Sequence, residues 1–410
     1  MTTAIEEVAA TALTEIRRLG LKAPARILFG AGGMAQAGIL ASELAGGHSA
    51  LVLTCSALMA PTGAADRLLA RLRAHGVTAE VISDMDREPT VAMVDAAAAR
   101  ARAIRPGLIV SLGGGSVMDG AKAVAALAVN EGSAVEYLEG LGHRTQLAHP
   151  PLPHLAIPTT AGTGAEATRN AVIAAPDQGG KKSMRFDGLL PAVALLDPEL
   201  TRSVPRAATA AGGLDTLTQL IEACISRKRT PAATALAHRG LRLVPAALPA
   251  CYARPEDLAA RSAMMLASFL SGVCLANAGL AMAHGIAAAL GALHNVPHGL
   301  ACGILLPATL RYNRPACAPE LAAALAAYLN RDAPRNPEAT AAMTADSVID
   351  AGLAAIATLQ RRLDVPADLR HLQLNDHALQ RLAAMSMGSS MSGNPVPMDP
   401  ERTLAFLRAL

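Results

Sequence analysis

The chain changes character near residue 205, and that change confines it to a small set of architectures. Before it, short apolar runs alternate with helix-like segments. Ser49 to Thr54 (SALVLT) is followed by a helical stretch through Arg73, and Val77 to Ile82 (VTAEVI) by an alanine-rich helix over Val91 to Ile104. Gly107 to Leu112 (GLIVSL) ends at three glycines, and Ala192 to Leu196 (AVALL) closes the series just before Asp197-Pro198. Short apolar strands separated by helices predict a parallel sheet covered by helices on both faces. From Pro205 onward, alanine- and leucine-rich helical stretches follow one another, punctuated by Pro, Gly and Asn, and strand signals fade. A chain of 410 residues also exceeds one ordinary core. The expectation is an α/β domain over residues 1–203 and an all-helical domain over 204–410, with a ligand held between them.

Composition narrows the function classes. Just over half of the residues are hydrophobic, Ala and Leu dominate, aromatics are scarce and Trp is absent, so the cores are built from small aliphatic side chains. The net charge is only +3, and the basic residues are scattered apart from short clusters such as Arg227-Lys228-Arg229. A nucleic-acid groove wants a basic stripe interleaved with aromatics, so nucleic acid is not an expected partner. The opening segment MTTAIEEVAATALTEIRRLG carries acidic residues and reads as an amphipathic helix, not as a signal peptide. No uninterrupted apolar run reaches the roughly 18 residues of a membrane span, so no membrane partner is expected. The six cysteines (Cys55, Cys224, Cys251, Cys274, Cys302 and Cys317) are dispersed, form no CxxC pair and lie mostly in apolar contexts. They read as buried free thiols in a reducing cytoplasm.

Four stretches carry chemistry. After the strand Leu108–Leu112 comes GGGSVMDGAKAVA, with Gly113, Gly114, Gly115, Ser116, Asp119 and Lys122. Strand, glycine cluster and helix together let backbone amides approach a pyrophosphate at a helix N-terminus. A tight βα turn without a ligand has the same signature, and the pattern is neither GxGxxG nor a Walker loop. The stretch from Pro158 to Glu166 (PTTAGTGAE) adds the hydroxyls of Thr159, Thr160 and Thr163 among glycines, suited to a nucleotide or to a hydrogen-bonded connecting loop.

The third stretch is in the helical half. Ala211 to Ser226 (AGGLDTLTQLIEACIS) reads as a helix opening after two glycines. Its apolar stripe is Leu214, Leu217, Leu220, Ile221, Cys224 and Ile225, and Asp215, Gln219 and Glu222 share another face. That reading sets Asp215 in the first helical turn, where it suits the helix dipole. Downstream, NAGLAMAHGIAAALGALHNVPHGLACGILLP sets His284 and His298 in mostly apolar or small surroundings, His298 between Pro297 and Gly299 where a helix should break. A buried imidazole needs a partner for each ring nitrogen, and a cation is one candidate; a cap or a backbone carbonyl is the other. One carboxylate and two imidazoles form a reasonable ligand set for Fe²⁺ or Zn²⁺.

Taken in order, GGGSVMDGAK, IPTTAGTGAEAT, LLDPELT, GGLDTLTQLIE and AMAHGIAAALGALHNVPHG resemble the motifs of the iron-dependent (group III) alcohol dehydrogenases over roughly residues 25 to 400. The resemblance implies a Rossmann-like N-terminal domain and a helical C-terminal domain, the architecture also found in dehydroquinate synthase, with metal and substrate in the cleft between them. It implies reversible hydride transfer between NAD or NADP and a small alcohol or carbonyl compound, in a cytoplasmic homodimer or larger homo-oligomer. Gly113, Gly114, Gly115, Ser116 and Asp119 would hold the cofactor, Thr159, Thr160 and Thr163 would line its cleft, and Lys182 would lie nearby. Asp215, His284 and His298 match three of four metal ligands and would serve catalysis.

Three departures from the family pattern stand out. The fourth ligand position, normally His, holds Gln219, a weaker neutral donor. A histidine often found four residues after the His284 position is replaced by Ala288, with His294 in the vicinity. The strand end where many relatives place an Asp for the adenosine ribose holds Cys55 followed by Ser56, which leaves both NAD and NADP admissible. The first two departures keep in view a metal-independent reductase resembling the maleylacetate reductases or a weakened nucleotide-binding homologue, and the shared architecture and metal position keep in view a lyase resembling dehydroquinate synthase.

Overall fold

The computed structural model describes residues 2–56, 62–175, 180–330 and 344–410. It forms two compact units. The first comprises Ala23–Thr160 and Gly164–Val204 with the start of the chain, and the second comprises Pro205–Leu410 with Thr14–Lys22 and Ala161–Thr163.

The first unit is built on a six-stranded sheet of β1 (Arg26–Phe29), β2 (Ala50–Thr54), β3 (Ala79–Ile82), β4 (Leu108–Gly113), β5 (His154–Pro158) and β8 (Val193–Leu196). All pairings are parallel, in the order β1-β8-β5-β4-β2-β3. β2, β4, β5 and β8 are buried along their whole length, which explains their uninterrupted apolar sequences. Helices α1 (Thr2–Arg18), α2 (Ala37–Ala45), α3 (Ala64–Ala74), α4 (Val91–Ile104) and α5 (Gly115–Leu127) belong to this half of the chain. A separate antiparallel pair, β6 (Asn170–Ala175) and β7 (Gly180–Arg185), lies between β5 and β8 in sequence.

The sequence reading missed β1, β5 and the β6–β7 pair. β5 begins with a histidine and ends with a proline, which hides a central strand. One ring nitrogen of this imidazole has a partner in the sheet: His154 Nε2 bonds Ser111 Oγ on β4 at 2.7 Å. Burial, with the nearby charge of Lys122, depresses His154 to about 3, so it stays neutral in the sheet.

Strand order fixes where this unit can take a ligand. From β2 the chain runs outward to β3, then returns across β2 to β4 and continues to β5. The direction reverses between β2 and β4, and a crevice at the carboxyl ends of such strands is the usual ligand site in open parallel sheets. Both the triple glycine after β4 and the Cys55-Ser56 pair after β2 stand at that reversal.

Beneath the glycine turn sits a buried cation. Lys122, wholly inaccessible on α5, donates to Asp119 Oδ1 (3.0 Å), Thr168 Oγ1 (2.9 Å) and the Asn170 carbonyl (2.6 Å). Asp119 in turn accepts from the Val172 amide at 3.1 Å. These bonds join α5 to β6 and to the loop before it, and the ammonium's three donors are all used.

The second unit is helical: α6 (Arg206–Ile225), α7 (Pro231–Ala253), α8 (Leu258–Ala278), α9 (Met282–His294), α10 (His298–Tyr328), α11 (Ala345–Arg362), α12 (Asp376–Met385) and α13 (Pro400–Arg408). α6 is its central element, buried from Leu214 to Ile225 and packed by α7, α8 and α10. Among the described residues α8 alone is long and apolar enough to cross a bilayer; most of it is buried against the other helices, Arg261 included. α10 is interrupted at Cys317 (φ −148°, ψ 32°), between Pro315 and Pro319.

One expectation about α6 is corrected. The helix begins at Arg206, so Gly212 and Gly213 lie inside it and Asp215 sits in mid-helix, not in the first turn. The glycines serve contact and not initiation: a Cβ at Gly212 would stand 2.9 Å from the Ala161 carbonyl oxygen, and one at Gly213 would overlap Leu248. A dipole role for Asp215 therefore fails, because that effect is confined to the first turn.

Glu166 yields a test of stability against pH. Burial pushes its carboxyl up to about 7, against the opposing effects of its own amide and of Lys122. Folded Glu166 holds its proton up to about pH 7, whereas the unfolded chain releases it near 4.5. Stability intact below pH 4.5 therefore falls as pH rises through about 7. Glu166→Gln removes that loss: it should leave the urea midpoint nearly unchanged at the acid end. Above pH 7 it should raise stability by up to about 3 kcal/mol.

Candidate active site

Glu222 organises the helical site. Its carboxylate, on buried α6, accepts from the Ala281 amide (2.9 Å) and the Ala283 amide (2.7 Å) at the start of α9. No side chain of α9 itself caps those donors, so Glu222 supplies the cap from another helix, and Asn394 Oδ1 takes the Met282 amide at 3.2 Å. The same Glu222 carboxylate meets His284 Nδ1 at 2.7 Å. A carboxylate there keeps a proton on Nδ1 and turns Nε2 toward the opposite side, the arrangement that orients metal-ligating histidines. The sequence placed Glu222 on one face with Asp215 but gave it no role.

On that opposite side the expected residues come together. Asp215 Oδ1 lies 3.1 Å from His284 Nε2 and 3.9 Å from His298 Nε2. The imidazoles of His284 and His298 stand with centroids 5.4 Å apart, tilted by 59°. His298 reaches this point because α9 ends with Asn295 in the left-handed region (φ 54°) and α10 starts anew at His298 after Pro297. α10 can approach α6 only because Gly299 and Gly303 are glycines: a Cβ at Gly299 would overlap the Ala211 carbonyl, and one at Gly303 would overlap Leu214.

A fourth group, not foreseen, joins them. Cys302, one turn after His298 on α10, places Sγ 3.7 Å from His298 Nε2. One donor atom each from Asp215, His284, His298 and Cys302 falls within 4.8 Å of all the others. The sequence reading set Cys302 among buried apolar thiols; its spacing of four residues from His298 was the available signal. Gln219, expected as the fourth donor, adjoins the cluster: its side chain bonds Asp215, Oε1 accepts from Ser271 Oγ (3.0 Å) and Nε2 donates to the Thr163 carbonyl (3.2 Å). Half-buried Ala288 carries no titratable group.

The electrostatics favour a cation. Burial would raise Asp215, but the hydrogen bond from His284 and the charges of His298 and His284 hold it below the ordinary carboxylate value. Burial would lower His284, yet Cys302, Glu222 and Asp215 around it win and lift it well above 6.5. His298 is raised likewise, against burial, chiefly by Cys302 and then Asp215. Protonated imidazoles balance the carboxylates here, and a divalent cation would take the place of those protons on the same donors. Only His298 is open, with a third of its side chain exposed; Asp215 and His284 are almost wholly covered.

In the first unit, the expected cofactor residues gather at the turn after β4. α5 starts at Gly115 with Gly114 as its cap residue, which makes no side-chain bond to its first amides. Amides at a helix start that follows a parallel strand are suited to receive an anion. Thr159, following β5, donates its amide to the Gly113 carbonyl at 2.9 Å, and a Cβ on Gly114 would press on Thr160 Oγ1 at 3.2 Å. Ser116 is in the first turn of α5, whereas Asp119 is occupied by Lys122 and Val172. Lys182 lies on β7 opposite Ile173, and Cys55 is buried beyond β2, bridged to Asp84. Thr163 groups with the second unit.

A glycine-turned parallel sheet of dinucleotide type, joined to a helical unit bearing a buried carboxylate–imidazole cluster, marks a two-domain, metal-associated dehydrogenase. Residues 24–198 match the family model described as iron-containing alcohol dehydrogenase, and residues 209–410 match the C-terminal model of the Fe-containing family. The chain is 37% identical over 277 residues to long-chain-alcohol dehydrogenase 1 of Geobacillus thermodenitrificans, covering 68% of this chain and 69% of that one. It is 33% identical over 372 residues to 1,3-propanediol dehydrogenase of Klebsiella pneumoniae, covering 89% and 92%. A crystal structure of 1,3-propanediol oxidoreductase superposes with a TM-score of 0.86 at 30% identity, over 95% of this chain and 98% of that one. The chain belongs to the iron-containing alcohol dehydrogenase family, as the order of its motifs indicates, and the expected fold class and oxidoreductase activity stand with it.

The close approach of α10 to α6 is open to test. Gly299→Ala sets a methyl group against backbone that cannot rotate away, so the two helices must part. The expected outcome is a loss of about 1–3 kcal/mol in stability, read as a lower thermal midpoint by circular dichroism. An unchanged midpoint would mean that the helices are not held this closely.

Proposed function

We propose that this chain interconverts a small alcohol and its aldehyde or ketone, using NAD(H) and a divalent metal held by Asp215, His284 and His298. The observation that carries the reading is the convergence of these three donors on one point, with Glu222 fixing His284 from behind. A divalent cation bound there supplies Lewis acidity toward an alcohol or carbonyl oxygen, and the nicotinamide ring supplies or accepts the hydride. The chain's own contribution is placement. Glu222 keeps the proton on His284 Nδ1 so that Nε2 faces the donor cluster, and neighbouring imidazoles keep Asp215 ionised. His298 forms the accessible side, from which a small substrate would approach.

The same reading gives the uncapped start of α5, with Gly113, Gly114, Gly115 and Ser116, to the cofactor's pyrophosphate, flanked by Thr159 and Thr160. Asp119 acts by holding the turn in place through Lys122. Lys182 and Thr163 are assigned to the cofactor by their place in the family pattern alone. The six cysteines, all buried and none in a disulfide, suit a reducing cytoplasm.

The preference for NAD over NADP rests on a carboxylate that enters from another strand. Ser56 Oγ, just past β2, donates to Asp86 Oδ2 at 3.1 Å. This sets a negative group at the β2 end, where a ribose 2′-hydroxyl is welcome and a 2′-phosphate is repelled. Asp86→Ala should therefore shift the ratio of kcat/KM for NADH over NADPH toward NADPH by on the order of tenfold. An unaltered ratio would remove Asp86 from the cofactor site.

The reading is tested by NADH and NADPH oxidation against a panel of small aldehydes and ketones, before and after chelation and after reloading with Fe²⁺ or Zn²⁺. Turnover that is lost on chelation and restored by metal is expected. Turnover indifferent to chelation would point to a metal-independent reductase of the maleylacetate reductase kind. Dinucleotide binding without any turnover would point to a weakened nucleotide-binding homologue. Gly114→Val should weaken dinucleotide binding while the far-ultraviolet circular dichroism stays the same; unchanged affinity would contradict the assignment of the turn.

A further inference from the structure

The metal reading above leaves one coordination position unexplained, because the helix position that would supply a second α6 ligand holds Gln219. We infer that Cys302 completes the site as a thiolate, giving an Asp-His-His-Cys donor set from Asp215, His284, His298 and Cys302. The inference rests on the proposed metal site and adds to it a ligand of different chemistry.

Geometry separates Cys302 from the other thiols. Cys274 and Cys317 point at backbone carbonyls of Ala233 and Asn313. Burial pushes Cys224 up to about 12 and Cys251 and Cys317 up to about 11, the behaviour of inert core thiols. Cys302 instead aims its sulfur at His298 Nε2, 3.7 Å away, inside the cluster whose donor atoms all lie within 4.8 Å of one another. With bonds of about 2.0–2.1 Å to nitrogen or oxygen and 2.3 Å to sulfur, a tetrahedral site spaces its donors roughly 3.3–3.7 Å apart. The separations here, 3.1 Å, 3.7 Å and 3.9 Å, bracket that range.

The helix geometry explains how one ligand can replace another. Asp215 and Gln219 are four residues apart on α6, and His298 and Cys302 are four residues apart on α10, so each pair presents two side chains on one helix face. Ser271 and the Thr163 carbonyl occupy the amide of Gln219. The doubly ligating helix is thus α10 and not α6. Metal binding would release the thiol proton to solvent and leave sulfur as the donor. A thiolate beside two imidazoles and one carboxylate favours Zn²⁺ over Fe²⁺, since the softer ligand suits the softer ion.

Cobalt reports sulfur ligation independently of turnover. The purified full-length protein is stripped of metal, loaded with Co²⁺ alone and examined by absorption spectroscopy, with bound cobalt counted by elemental analysis. The expected result is one cobalt per chain, tetrahedral visible bands and an intense near-ultraviolet sulfur-to-cobalt band. Cys302→Ser should lose that band and at least about tenfold in affinity for Zn²⁺. Adding Gln219→His to Cys302→Ser should recover affinity without restoring the band. Stoichiometric cobalt lacking the sulfur band in the unaltered protein overturns the Cys302 assignment and leaves the three-ligand site intact. Failure to bind cobalt at all overturns both. A sulfur band that survives in Cys302→Ser also overturns it, by naming another cysteine.

Discussion

The helical site depends on a single buried carboxylate meeting three N–H groups. Glu222 takes two amides at the start of α9 and the Nδ1 proton of His284, all within 2.9 Å. Any one of these donors, left unpaired in the core, would cost about 1–3 kcal/mol. By serving all three, Glu222 settles where α9 begins, which way its third side chain points and which ring nitrogen faces Asp215. The carboxylate is affordable at 1% exposure because its acceptor capacity is matched by these donors.

The second constraint is closeness of backbone. Gly212 and Gly213 on α6, and Gly299 and Gly303 on α10, each occupy a place where a methyl group would press on a neighbouring chain or side chain. Small residues permit helix axes to approach, and approach is what brings His298 and Cys302 beside Asp215. In the first unit the corresponding constraint is electrostatic. Lys122 lies in the core with its charge met by Asp119 and two further oxygens, which tie α5 to β6 and to the loop before it.

Much of this was legible in the sequence, for identifiable reasons. The fully buried strands β2, β4 and β8 announced themselves as apolar runs, and the change near Pro205 coincides with the start of α6. Asp215, His284 and His298 were visible because charged or imidazole groups in apolar helices require explanation. The parts that stayed hidden depend on contacts between distant segments. β5 looks unlike a strand until Ser111 is seen to bond one ring nitrogen of its histidine. Glycines inside α6 imitate a helix start, because close packing and chain breaking use the same residue. The role of Glu222 requires knowing that α9 begins beside it. Cys302 reads as one more apolar thiol until α10 is known to bring it round with His298.

The distribution of solvent over the donor cluster has a kinetic meaning. Asp215 and His284 are sealed within packed helices and the Cys302 sulfur is in the interior, whereas His298 stands at a helix end and keeps a third of its surface in water. An ion held among these donors would be most open to solvent on the His298 side. Its exchange with solvent would therefore pass by His298 at the start of α10.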